Sequence, residues 1–272
     1  NIINVILNYV FIEYFKMGVA GSAWATFIAR VAMMVFLYYV LIKEEKTRRY
    51  IKDFSLKIKD FSKEMFEKLI RLGFPTALQL FFEVTAFAGA AFICGLISAK
   101  DIAAHQIALS MASFTFNLCV GFSVASTVMI GRKLGEKDFV NLEKVGFNNL
   151  KIAFIFMLMC GLVFILGKDV LPTFFTKKED IAVVELASQL MIIAALFQLS
   201  DGIQVTALGC LRGIQDVKIP SILTFIAYWV ITIPLGYYLT VPMKMGAFGM
   251  WIALGIGLTI SAVLLVIRFR NL

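Results

Sequence analysis

The chain has 272 residues, 60% of them hydrophobic and 16% charged, with 26 Lys and Arg against 18 Asp and Glu. A soluble domain is close to half apolar and a quarter charged, so this composition excludes an ordinary soluble protein and points to a polytopic membrane protein. The net charge of +8 is no nucleic-acid signal, because the basic residues cluster between long apolar runs.

The first apolar run, Ile2 to Phe15, is shorter than a membrane span and reads as the tail of a helix. With no initiator Met before it, the chain reads as the C-terminal part of a longer protein. A turn at Gly18-Val-Ala-Gly21 opens a span that runs to about Ile42, with Arg30 near its middle. Arg30 is either a counter-ion to a carboxylate of the missing part or a snorkelling side chain. Lys43 to Arg71 is the most charged stretch, and in it Phe54, Ile58, Phe61, Met65, Leu69 and Leu72 recur at steps of three and four. That spacing predicts an amphipathic helix lying on the membrane surface.

Pro75 to Ser98 is the next span, with Pro75 suited to its first turn. Its one ionisable residue is Glu83, and an isolated carboxylate facing lipid is costly, so it belongs in a bundle interior or a wet cavity. Gln79 lies one turn earlier on the same face. Further spans are expected at about 102–131, 145–167, Ile181 to Leu211, Ile219 to Val241 and Ala247 to Ile267. Thr176-Lys-Lys-Glu179 matches a capping box, Pro220 suits a first turn, and Pro234 should kink its helix.

The expected fold is therefore an all-α integral membrane protein, a polytopic helical bundle with six spans from about residue 70 onward. Three parts follow: residues 1–42 as the end of an N-terminal lobe, 43–71 as a cytoplasmic linker, and 72–272 as a C-terminal six-helix lobe. Placing the linker in the cytoplasm puts the loops with Arg132, Lys133, Lys137, Lys144, Lys151, Arg212, Lys218, Arg268 and Arg270 on the same side, in agreement with the positive-inside rule. A weak internal echo joins Gly18-x-x-Gly21 before Trp24 to Gly246-x-x-Gly249 before Trp251, as two halves related by an axis along the membrane normal would produce.

Soluble-enzyme signatures are absent: there is no phosphate loop, nucleophile elbow, zinc helix or dinucleotide glycine pattern. Cys94, Cys119, Cys160 and Cys210 lie in or beside apolar runs without metal-ligand spacing, and His105 is the sole histidine. No catalytic residue and no cofactor is expected beyond a coupling ion. Glu83 and Asp201 are the acidic residues deep inside spans. Glu83 follows Arg71 by twelve residues and Asp201 precedes Arg212 by eleven, which puts both roughly 16–18 Å from a basic anchor on one side. Two carboxylates at one level suggest a shared site for a cation or a proton. Gln106, Ser110, Ser113 and Asn117 fall on one helical face as a polar cavity stripe, and Gln198 and Gln204 flank Asp201 at three-residue steps.

At these residues the chain resembles the multidrug and toxic compound extrusion (MATE) transporters, in their NorM-like branch. The resemblance rests on LGFPTALQLFFEV (72–84), AAHQIALSMASF (103–114), RKLGE (132–136), SDGIQVTALGCLRGIQD (200–216) and FIAYWVITIPLGYYL (225–239). It implies twelve helices in two six-helix lobes, of which this chain holds the second and the last one to two helices of the first. It also implies Na⁺- or H⁺-coupled export of organic cations from the bacterial inner membrane, with Glu83 and Asp201 as coupling carboxylates and Gln106 nearby. Phe197 stands where family members often carry Tyr, so the coupling ion stays open between Na⁺ and H⁺. A flippase for lipid-linked oligosaccharide is the alternative within the wider superfamily. It would call for a cationic cavity, and the charges buried in these spans are mainly acidic.

Overall fold

The computed structural model describes residues 2–44, 62–176 and 180–271, and no strand occurs among them. It divides into two compact units, Asn1–Phe66 and Glu67–Leu272. In the smaller, α1 (Ile2–Tyr9) widens into a π turn at Val10–Tyr14 and packs against α2 (Gly18–Lys43). Arg30 is exposed on α2.

The larger unit comprises most of α3 (Lys63–Ile97), then α4 (Ala99–Gly135), α5 (Phe139–Gly167) and α6 (Ile181–Gly213). A broken span follows, made of α7 (Lys218–Phe225), a π segment (Ile226–Thr232) and α8 (Ile233–Thr240), and α9 (Gly246–Arg270) closes the unit. Among the described residues seven helices are long and apolar enough to cross a bilayer: α2 and the six spans from α3 onward.

Two expectations need correction. Pro75 is not in a first turn but inside α3, which starts at Lys63. Met65, Leu69 and Leu72 therefore belong to the base of a membrane helix about 52 Å long, not to a separate surface helix. The proline removes the donor to the Arg71 carbonyl, and one residue on Thr76 Oγ1 adds a bond to the Leu72 carbonyl at 2.8 Å. The rest of the proposed surface helix, with Phe54, Ile58 and Phe61, lies outside the described residues, as do Lys177 to Glu179 of the proposed capping box. Before Pro234 the ladder widens into the π segment, where Thr232 Oγ1 donates to the Ala227 carbonyl five residues back at 2.8 Å.

Helix α6 packs against α4, α5 and α9. Small residues permit this. A Cβ at Gly209 would overlap the Ser123 carbonyl of α4, and Ser123 Oγ and Thr127 Oγ1 donate across the same contact to Val205 O at 2.6 Å and Gly209 O at 2.9 Å. The fully buried Leu190, Met191, Tyr228, Trp251 and Leu254 form the core around α6. Helix α3 behaves differently. Its backbone comes close to its neighbours at few points. It reaches them through long side chains: Phe82 against Phe225, Phe87 against Phe197 and Tyr228, and the Phe82 carbonyl accepting from Trp229 Nε1 at 3.1 Å. That spacing leaves room for cavities along α3.

The turn before α2 recurs before α9. Lys16 and Gly18 have φ of 55° and 55°, and Lys244 and Gly246 have φ of 57° and 59°. Met17 N–H donates to Phe11 O at 3.0 Å, and Met245 N–H donates to Leu239 O at 3.2 Å, each six residues back. The glycine echo in the sequence is thus one turn built twice. The second copy carries an extra part, because Asp101 Oδ1 accepts the Ala247 N–H at 2.7 Å while Asp101 Oδ2 accepts from Ser98 Oγ. A Cβ at Gly246 would meet that carboxylate. Asp101 therefore caps α9 from the start of α4. Replacing Asp101 by Ala should cost about 1–2 kcal/mol, read as a lowered thermal midpoint of the detergent-purified protein; an unchanged midpoint would show that the cap contributes nothing.

Between α4 and α5, Glu136 of the RKLGE stretch pairs with Arg132 Nε and Lys133 Nζ, both at 2.8 Å. Asp138, bonded by Asn141 and then Lys133, is held below the usual carboxylate range and opens α5. This stretch closes a loop and stands apart from the cavities.

Candidate functional site

Glu83 of α3 and Asp201 of α6 reach the same cavity, of about 350 Å³, between α3, α4 and α6. Both are buried, at 9% and 4% exposure. Phe87, Phe116, Phe197, Leu80 and Leu109 form its walls, and Gln106 and Ser113 of α4 supply further polar groups. Neither carboxylate accepts a hydrogen bond from a described side chain, so in this cavity their unused lone pairs are the strongest acceptors. Carboxylate oxygens with aromatic faces can hold a small hard cation, a proton, or the charged head of an amphipathic organic cation.

The structure distributes the other expected residues more widely than their spacing on the helices implied. Gln106 also borders an outer cavity of about 900 Å³, together with Ser110, Lys100 and Asp180. Asn117 is exposed and turns back to donate to the Ser113 carbonyl at 2.7 Å. Gln79 lies in a third cavity, of about 690 Å³, which shares Glu83, Leu80 and Phe116 with the first. Gln198 and Gln204 do not line the carboxylate cavity. Three residues along a helix turn a side chain some 60° away, which directs them into neighbouring helices. Gln198 Oε1 accepts from Thr115 Oγ1 at 2.9 Å, and Gln204 Oε1 accepts from the Tyr228 hydroxyl at 3.1 Å. Phe81 and Phe114, on the same two helices as Phe87 and Phe116, are exposed. His105 is fully buried against Trp251, away from both carboxylates' cavity.

Two residues escaped the sequence reading. Tyr228, on the π segment, is completely buried and lies within electrostatic reach of Glu83 and Asp201. It brings a hydroxyl close to a site where Phe197 has none. Arg212, which served only as a topological anchor, turns inward. Its Nη2 donates to Gln79 Oε1 at 3.2 Å, and its charge acts on Glu83. Its place three turns after Asp201 on α6 was the available signal.

Residues 75–238 match the MatE family model. The chain is 35% identical to a "Probable multidrug resistance protein NorM" from Pasteurella multocida, over 99% of this chain and 59% of that protein. A protein of the same name from Mesorhizobium japonicum is 37% identical over 98% of this chain and 58% of its own length. The crystal structure of a eukaryotic MATE transporter superposes with a TM-score of 0.89 at 18% identity, covering 99% of this chain and 59% of that one. The chain thus spans about three fifths of the length of the curated relatives it matches.

Proposed function

The chain belongs to the MatE family and is an integral membrane protein of the bacterial inner membrane, and on that premise we propose that it forms the greater part of a cation-coupled antiporter that exports organic cations. The observation that carries this reading is the placement of Glu83 and Asp201 in one aromatic-walled cavity. The two carboxylates take either a coupling ion or the positive head of a substrate. With the ion bound, local negative charge falls and the organic cation loses its partner. With the site empty, the carboxylates attract the substrate again. Export then requires only that the inward- and outward-open states differ in ion affinity. Na⁺ and H⁺ both suit this site. The remaining lobe of the transporter and the lipid bilayer are the required partners.

The test is dye accumulation in cells lacking their own efflux pumps. Cells expressing the full-length protein should accumulate less ethidium than vector controls. Unchanged ethidium uptake, with movement only of anionic or lipid-linked solutes, would overturn the reading.

A further inference from the structure

Arg212 poses a question that the antiport scheme leaves unanswered. A cation-exchanging carboxylate has no obvious need for a guanidinium of the protein nearby, and the last turn of α6 nevertheless carries one that faces Gln79 of α3. Arg212 is half-buried, and its Nε is enclosed without a hydrogen-bond partner. Its one side-chain hydrogen bond among the described residues goes to Gln79, itself buried at 3% exposure. Gln79 precedes Glu83 by one turn, about 6 Å along α3. Both residues and Glu83 line the 690 Å³ cavity, which opens along the base of α3 through Leu69, Leu72 and Thr76. Of the three residues common to this cavity and the one holding Asp201, Leu80, Glu83 and Phe116, Glu83 is the charged one. The charged and titratable groups around Glu83 are therefore Asp201 and Arg212 of α6 and Tyr228 of the π segment.

We propose that Arg212 is a resident counter-cation for Glu83, held in waiting by Gln79, which the coupling ion and the substrate must displace electrostatically and which restores the balance of charge when the site empties. The inference rests on Glu83 being the cation-exchanging carboxylate. Its physical content is a competition. A fixed positive charge near Glu83 weakens the binding of every mobile cation to that carboxylate, and the weak binding permits release on each side of the membrane. Asp201 has no such partner among the described residues, so the two carboxylates are unequal. Arg suits this role better than Lys as a hydrogen-bonded, permanently charged group that tolerates partial burial. Removing one partner of such a pair leaves an unbalanced buried charge, whereas removing both does not.

The experiment uses purified full-length protein and equilibrium binding of ethidium, titrated with NaCl at fixed pH and with protons at fixed Na⁺. Arg212→Gln should tighten ethidium binding by about tenfold or more, and the displacing ion should act at a correspondingly lower concentration. Arg212→Lys should stay near wild type. In a Glu83→Gln background, Arg212→Gln should change neither midpoint. If Arg212→Gln proves unstable, recovery of folded protein in the Glu83→Gln/Arg212→Gln double variant supports the pairing, and failure to recover contradicts it. An equal shift in the presence and absence of Glu83 would overturn the proposal, as would unaltered binding in Arg212→Gln while Glu83→Gln still weakens it; antiport at Glu83 would survive both results. A silent Glu83→Gln would instead remove the antiport reading and this inference together.

Discussion

Glu83→Gln and Asp201→Asn should each abolish coupled drug export while leaving the folded protein in the membrane. Each substitution keeps the size and shape of the side chain and removes its charge. A neutral amide is easier to bury than a carboxylate, so neither change should unfold a helix whose cavity is already apolar on most sides. What is lost is a negative charge that the proposed exchange of an ion for an organic cation requires. The resistance of cells carrying either variant should fall to that of cells without the transporter, at unchanged membrane abundance measured by immunoblot. Intact resistance in both variants would remove the carboxylates from the mechanism. Loss of resistance with loss of the protein would mean that they serve the fold instead.

The second large effect is structural. Gly209→Ala should destabilise the protein by about 3 kcal/mol, at the upper end of overpacking costs. The added methyl meets the Ser123 backbone, which cannot rotate away as a side chain can. It also disturbs the two hydroxyl bonds that join α4 to α6, and α6 carries Asp201 two turns above. Gly121 is the control. It lies on α4 with open space where a Cβ would stand, so Gly121→Ala should be neutral or stabilising by up to about 1 kcal/mol. Thermal midpoints of the two purified variants should therefore move in opposite directions or differ sharply. Equal midpoints would contradict the close α4–α6 contact.

The hydropathy of the chain made the number and order of spans legible, because a membrane helix carries its length in an unbroken apolar run. Helix boundaries were less legible at α3. There Lys63 to Arg71 looks like a surface segment by charge, yet it continues the same helix past Pro75. Depth along a helix was also readable: counting from Arg71 and Arg212 identified Glu83 and Asp201 as a pair before any packing was known. Rotation about the helix was not. Gln198 and Gln204 stand one step either side of Asp201 in the pattern, yet point to Thr115 and Tyr228 because α6 is enclosed on several faces at once. Arg212 was misread for a related reason. Near the end of a span a basic residue usually snorkels to the interface, and only the contact with Gln79 reveals that this one turns inward.

In the proposed antiport the Glu83 and Asp201 cavity exchanges a coupling cation for an organic one. The most direct measurement is ethidium transport in vesicles containing the full-length protein, under a Na⁺ gradient alone and a pH gradient alone. Wild type, Glu83→Gln and Asp201→Asn should be compared side by side. The expected result is transport driven by at least one gradient in the wild type and by neither gradient in the two variants; full transport by both variants under the gradient that drives the wild type would contradict it.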